Sequence, residues 1–138
     1  MRRSVTWLGL ALLTGACASP SAPVARDVTL TPAATVYAPG ALISGMLVND
    51  SEVGYTYGAC TVRLERLVGP HWIVAGHDPR VCLAMLTVLA ARSTNTVTFP
   101  LASGLATGTY RLRLELFAGA DRPSLAVRSR HFLVEPPD

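Results

Sequence analysis

Apolar and polar residues alternate through much of this chain of 138 residues, most clearly in the segment Gly108–Phe117. One parity of that segment is apolar and the other is charged: Tyr110, Leu112, Leu114 and Leu116 alternate with Arg111, Arg113 and Glu115. A period of two residues is typical of a β-strand with one buried and one solvated face. Gly104 before the segment and Gly108 at its first position predict a turn that leads into it.

Six further segments predict strands of the same kind, separated by turn residues. They are Asp27–Thr31 (continuing as Ala34–Tyr37 after Pro32), Ala41–Asn49, Tyr55–Val68, His71–Ala75, Thr94–Phe99 and Ser124–Val134. Ala41–Asn49 is apolar on both parities, which predicts a central strand covered on both faces. Val81–Leu89 fits either a strand or a helical turn. About seven short strands at this spacing predict an all-β fold, an antiparallel β-sandwich.

The composition narrows the class of protein. Half of the residues are hydrophobic and 15% are charged, which is enough apolar material for one packed domain. All 12 basic residues are arginines; without Arg2 and Arg3 of the leader described below, ten remain against nine acidic residues. The rest of the chain is therefore nearly neutral, and its charge predicts no nucleic-acid partner.

The first 16 residues form a leader with a short positive segment, Arg2–Arg3, and an apolar segment, Val5–Leu13, too short to span a membrane as a mature helix. The following residues, Leu13–Cys17 (LTGAC), resemble the lipobox of bacterial lipoproteins, in which the cysteine becomes the lipidated first residue. The resemblance implies a signal peptide over residues 1–16 and lipidation of Cys17. Cleavage after Ala18 and a retained anchor are the alternatives. Each places the domain outside the cytoplasm.

Residues 17–26 then predict a flexible tether, rich in Pro, Ser and Ala, ahead of a domain over residues 27–135. The expected location is the cell envelope, with the domain lipid-anchored and facing the periplasm or the exterior. The alternative is a soluble secreted or periplasmic protein.

The cysteines agree with that location. If Cys17 carries lipid, Cys60 and Cys82 remain as an even pair in an oxidising compartment. A disulfide between them would close a loop of about 22 residues and contribute roughly 3 kcal/mol in the chain-entropy model.

Several short motifs resemble those of bacterial immunoglobulin-like (Ig-like) domains. They are Tyr37-x-Pro-Gly40, Leu47-x-Asn49-x-Ser51, Leu64-Glu65-Arg66 followed by Trp72, and Leu105-x-x-Gly108-Thr-Tyr110-Arg-Leu112. The resemblance covers nearly all of residues 27–135 and implies an Ig-like sandwich. It also implies that Tyr110 forms a tyrosine corner, its hydroxyl bonding back to nearby backbone. The two cysteines depart from the antibody pattern, because they lie on the third strand and just after its hairpin.

Four residues, Cys60, His71, His77 and Cys82, have the side chains that zinc prefers. Their spacing matches no familiar zinc motif, so we interpret them as a disulfide and two surface histidines, and expect neither a metal nor another cofactor. No nucleophile elbow, paired carboxylates or activated cysteine is visible, so the sequence predicts no catalytic residue.

The outward parity of the later strands predicts an exposed face rich in arginine: Arg63, Arg111, Arg113, Arg128 and Arg130, together with Glu65 and Glu115. Such a face fits an anionic partner, either an acidic protein or an envelope polymer or lipid headgroup. The alternative is a solvated face with weak ion pairs. Trp72 is interpreted as a core residue, with an exposed hairpin tip as the alternative.

These features together favour a non-enzymatic cell-envelope lipoprotein with an Ig-like interaction module. Two alternatives remain. One is a protease-inhibitor-like domain acting through the loops Gly76–Arg80 and Gly119–Pro123. The other is a periplasmic metal-binding protein.

Overall fold

The computed structural model describes residues 26–77, 86–119 and 122–136, and this part of the chain is built from β-strands. Eleven strands, β1 to β11, follow one another: Val28–Pro32, Val36–Tyr37, Leu42–Asn49, Tyr55–Tyr57, Val62–Val68, His71–His77, Thr87–Leu89, Ser93–Pro100, Gly108–Leu116, Leu125–Arg128 and Phe132–Val134. The prediction of an all-β sandwich is confirmed. All seven predicted strands are present in the described residues, and three of them are divided in two. β7 forms the end of Val81–Leu89, for which the sequence leaves a strand and a helical turn open.

Two sheets form the sandwich. The first sheet has three antiparallel strands in the order β1-β3-β8. The second has the order β2-β11-β9-β5-β6, and β10 also pairs with β9. Every pairing in the two sheets is antiparallel except that of β2 with β11, which is parallel. A short ribbon of β4 and β7 lies beside them.

The core fills the space between the inward faces of the sheets. The strand β9 shows the predicted alternation, since its four inward apolar side chains are all 1% exposed or less. They meet Val97 and Phe99 of β8, which point inward as predicted, and Ile43 and Leu47 of β3. Burial of this apolar surface is the main term that holds the two sheets together.

Tyr110 forms the predicted tyrosine corner. Its hydroxyl donates a hydrogen bond to the carbonyl oxygen of Ala106, four residues earlier, at 2.7 Å. The ring is buried and stacks on Phe132 with 6.5 Å between centroids. This bond fixes the loop that enters β9 to the strand itself.

The turn around Asn49 is a second fixed point. The Asn49 side chain is fully buried and donates to the carbonyl oxygens of Val53 and Ala90, each at 2.8 Å. Its own carbonyl oxygen accepts from the backbone N–H and the hydroxyl of Ser51, at 3.1 and 2.7 Å. One amide therefore ties the end of β3 to the loop between β7 and β8. The Asn49-x-Ser51 motif therefore has a structural role, because its hydrogen bonds hold these loops together.

The interpretation of β3 as covered on both faces is wrong. Leu42 and Met46 are 61% and 53% exposed, on the outer face of the first sheet. The apolar residues on that parity are solvated because only the inner face of this sheet is covered by the other sheet.

The long third strand also differs from its prediction. A single 3-10 turn, Ala59–Thr61, separates β4 from β5, and Thr61 closes it by donating from its hydroxyl to the Gly58 carbonyl at 2.8 Å. Cys60, predicted on the third strand, lies on this turn instead and is exposed, whereas Val62 and Leu64 of β5 are buried.

The last strand is broken at residues 129–131, between β10 and β11. The Ser129 side chain replaces a ladder partner there: its hydroxyl oxygen accepts from the Leu112 N–H at 2.9 Å, and its own N–H donates to the Leu112 carbonyl at 2.8 Å. The hydroxyl also donates to the Arg130 carbonyl at 2.7 Å. The break shifts the alternation, so that Arg128 faces outward while Phe132 faces the core.

We predict that Asn49→Ala lowers the free energy of unfolding by about 2–3 kcal/mol, since it removes the four hydrogen bonds that a fully buried side chain makes to two loops. Denaturant unfolding measures the change. The control is Asp50→Ala at the exposed neighbouring position, which should change stability by less than about 0.5 kcal/mol. Equal effects of the two substitutions would contradict the structural role of Asn49.

Candidate functional site

The outer face of the second sheet carries most of the arginines singled out in the sequence. Arg63 on β5 is directly opposite Arg113 on β9, which is directly opposite Arg128 on β10. Arg111 lies two residues from Arg113 on the same face. Arg130 is placed apart from this row, beyond the break in the last strand, at the edge of the sandwich next to β1.

Glu65 holds the centre of this face. The side chain is only 7% exposed, and it accepts a hydrogen bond from Arg111 Nε at 2.7 Å. Arg113 approaches the other carboxylate oxygen at 3.9 Å and donates to Glu115 at 3.2 Å. Arg111 and Arg113 are 19% and 25% exposed. The centre of the face is therefore a half-buried network of ion pairs, whereas the alternation predicts that the same arginines and glutamates are exposed.

Trp72 belongs to the outer face and not to the core, so its interpretation as a core residue is wrong. The Arg111 guanidinium carbon lies 4.1 Å from the centroid of the Trp72 ring, a cation–π contact. Glu65 holds the Arg111 guanidinium in place through its hydrogen bond, and the Trp72 ring packs on that guanidinium. The indole is thereby half-buried at the surface.

A row of mostly apolar side chains crosses the same face, perpendicular to the strands. From β2 to β6 its members are Val36, Leu133, Thr109, Leu67 and Trp72. The registers pair the first three in turn and Leu67 with Trp72, while Thr109 and Leu67 follow the last pair of β5 with β9 by one residue. We call these five residues the apolar row. Val36, Leu133 and Leu67 are 44%, 43% and 37% exposed.

A shallow groove of about 460 Å³ follows the apolar row. Thr35, His131 and part of Phe132 complete its walls. A groove of this composition provides apolar contact area, with a histidine and threonine hydroxyls at the rim for hydrogen bonds. It offers a binding surface and no arrangement of reacting groups.

The predicted cysteine and histidine cluster is only partly visible. His71 and His77 lie at opposite ends of β6, so their backbones are about 20 Å apart in an extended strand. These two histidines do not belong to one tetrahedral zinc site. Cys60 has a bonding partner, whereas Cys82 lies outside the described residues, and the Cys60–Cys82 pairing stays a prediction. Within residues 26–77, 86–119 and 122–136, no group of three or more Cys, His, Asp and Glu side chains converges as a metal site would require.

Other predicted features also lie wholly or partly outside the described residues. Cys17 and the leader are among them, as are parts of the loops Gly76–Arg80 and Gly119–Pro123. Among the described residues, no helix has the length and apolar character needed to cross a membrane.

No protein-family model matches the sequence, and no curated protein matches it.

Two features of the face were missed by reasoning from alternation. The burial of Glu65 carries no local signal, since it depends on side chains from β6 and β9. The apolar row does carry one: Leu67 has the parity of Arg63 and Glu65, so an apolar residue stands at a position where alternation predicts a wet surface. Arg66 is the reverse case, a charged residue on the inward parity, which donates to the Thr107 carbonyl at 3.0 Å and lies 5.9 Å from the Tyr110 ring centroid.

We predict a strong energetic coupling between Glu65 and Arg111. A double-mutant cycle of Glu65→Ala and Arg111→Ala, measured by denaturant unfolding, should give about 2 kcal/mol, because the pair is largely removed from water. The matched control is the exposed pair Glu52 and Arg92, whose side chains are 77% and 63% exposed. That pair should give about 0.5 kcal/mol. Equal coupling in both cycles would contradict a special role for the buried carboxylate.

Proposed function

We propose that the chain is a cell-envelope lipoprotein whose domain is a non-enzymatic interaction module. In this proposal residues 1–16 are the signal peptide, Cys17 carries the lipid, and residues 17–26 tether an Ig-like sandwich over residues 27–135. The observation that carries the interaction role is the apolar row on the outer face of the second sheet. The partner that fits it is a protein.

The surface has the anatomy of a protein interface. Its row is mostly apolar and ends at an aromatic ring, and its flank is charged, which resembles the usual division between the core and the rim of an interface. Exposed aliphatic side chains occur singly on most surfaces, but here three of them, Val36, Leu133 and Leu67, share one row with Thr109 and Trp72. Tryptophan and arginine are also the residue types that most often dominate binding energy.

The support beneath Trp72 favours recognition. A tryptophan stacked on a fixed guanidinium loses little conformational freedom when a partner contacts it. The Glu65–Arg111 pair therefore lowers the entropic cost of binding at this ring. This argument also explains why a charged network lies directly beside an apolar row.

The Ig-like assignment is supported by the strand order and by the Tyr110 hydrogen bond. The envelope location is supported by the lipobox-like residues around Cys17. The predicted disulfide is supported by Cys60, which is not a free thiol and which lies on an exposed turn where a partner can reach it. An oxidising compartment is where such a bond persists.

We predict that a photo-crosslinking residue placed at Leu133 captures a discrete partner in cells of the host. Leu42 provides the matched control, since it is 61% exposed on the outer face of the first sheet. Adding Trp72→Ala to the Leu133 probe should reduce the crosslinked product about tenfold, in line with the loss of one binding hot spot.

Two outcomes would count against the proposed surface. One is the same product from Leu133 and Leu42, and the other is a product from Leu133 that does not depend on Trp72. A stoichiometric loss of protease activity on mixing with the purified chain, unaffected by Trp72→Ala, would favour the inhibitor alternative instead.

A further inference from the structure

A band of arginines crosses the outer face of the second sheet and continues around its edge. It contains the row Arg63, Arg113 and Arg128, and then Arg130 and Arg26 beside β1. We call these five residues the basic belt. Arg26, Arg63 and Arg130 are exposed and Arg128 is half-buried.

The row places like charges directly opposite each other on three neighbouring strands. Such cross-strand pairs destabilise a sheet. Glu65 and Glu115 neutralise Arg113 at the centre. Among the described residues, no carboxylate pairs with Arg63 or Arg128 at the two ends of the row. The belt therefore keeps unneutralised positive charge, which an anionic partner would offset.

The edge of the belt forms a depression of about 340 Å³. Arg26, Arg128 and Arg130 line it together with Val28–Thr31, and none of these described lining residues is acidic. Thr29 and Thr31 are exposed there, so two hydroxyl groups accompany the three guanidinium groups. Guanidinium and hydroxyl donors are the groups that bind phosphate oxygens.

The position of Arg26 in the chain indicates that lipid headgroups are the anions closest to the belt. Arg26 is the first described residue, and it follows Cys17 by nine positions. Nine residues extend at most about 32 Å, so a lipid on Cys17 would keep the belt within that distance of the bilayer surface. A tether this short raises the effective concentration of headgroups at the belt. The apolar row lies four residues away along β9, about 13 Å from Arg113.

We propose that the basic belt binds the phosphate-bearing headgroups of the membrane in which Cys17 is anchored, and so sets the orientation of the domain. This rests on the proposed function, since it requires the lipid. The β1 edge of the belt, with Arg26, Arg128 and Arg130, faces the bilayer, and the apolar row further along the outer face remains available to a partner protein. Basic clusters bind anionic bilayers through such charge attraction, which salt screens.

The test uses the mature protein purified from its host. Its intact mass is measured first, because a missing lipid adduct on Cys17 would refute the lipoprotein function itself. The lipidated protein is then placed in nanodiscs of phosphatidylcholine alone or of phosphatidylcholine with phosphatidylglycerol. A gadolinium chelate on a minor lipid headgroup broadens the NMR signals of nearby backbone amides.

In the anionic nanodiscs, the amides of Thr29, Thr31 and Arg130, at the β1 edge of the sandwich, should broaden at least severalfold more than those of Ile73 and Thr96, which lie on β6 and β8 at the opposite edge. The difference should vanish in neutral nanodiscs and at high salt. The double substitution Arg128→Gln and Arg130→Gln should abolish it. The matched control, Arg92→Gln with Arg122→Gln, removes the same charge outside the belt and should preserve it.

Two results would overturn the proposal while leaving the lipid anchor intact. One is equal broadening at both edges of the sandwich in the anionic nanodiscs. The other is a saturable shift of the belt amide signals when soluble glycerol phosphate is titrated into neutral nanodiscs. That result would assign the belt to a free anion rather than to the bilayer.

Discussion

The buried carboxylate of Glu65 is the interaction on which the surface of the second sheet depends. Removing a carboxylate from water is costly unless charged donors satisfy it, and Arg111 and Arg113 do so here. Their guanidinium groups are fixed as a result, and Arg111 then supports the Trp72 ring. One ion-pair network therefore determines both the charge pattern of the face and the position of its largest aromatic side chain.

Much of the fold could be predicted from the sequence, because alternation reports which face of a strand is buried. The β9 segment shows this most directly, and the hydrogen bond that the resemblance implies for the Tyr110 hydroxyl forms as expected. The sequence of the last predicted strand also indicates that it is interrupted. Arg128 and Phe132 share a parity, so one continuous strand could not point the first outward and the second inward. Ser129 resolves this conflict by breaking the strand.

The candidate site was less predictable, because its properties arise between strands. Alternation places Glu65 and Arg111 on the same face, but it does not show that they meet at 2.7 Å or that the carboxylate is buried. Trp72 looked like a core residue because apolar residues follow it. The described sandwich leaves the edge strand β6 largely uncovered, and Ile73 and Val74 are 49% and 53% exposed. Whether another layer covers a strand depends on tertiary packing, and an apolar run in the sequence does not specify it.

The most direct test of this account is the NMR signal of the Arg111 Nε–H, read against that of Arg63 as an internal reference. The account predicts that the Arg111 proton exchanges slowly with water, because Glu65 accepts it. The Arg111 side chain should also show an upfield ring-current shift from Trp72 above it. An Arg111 signal that exchanges as fast as that of the exposed Arg63, with no such shift, would contradict the central claim that Glu65 organises this surface.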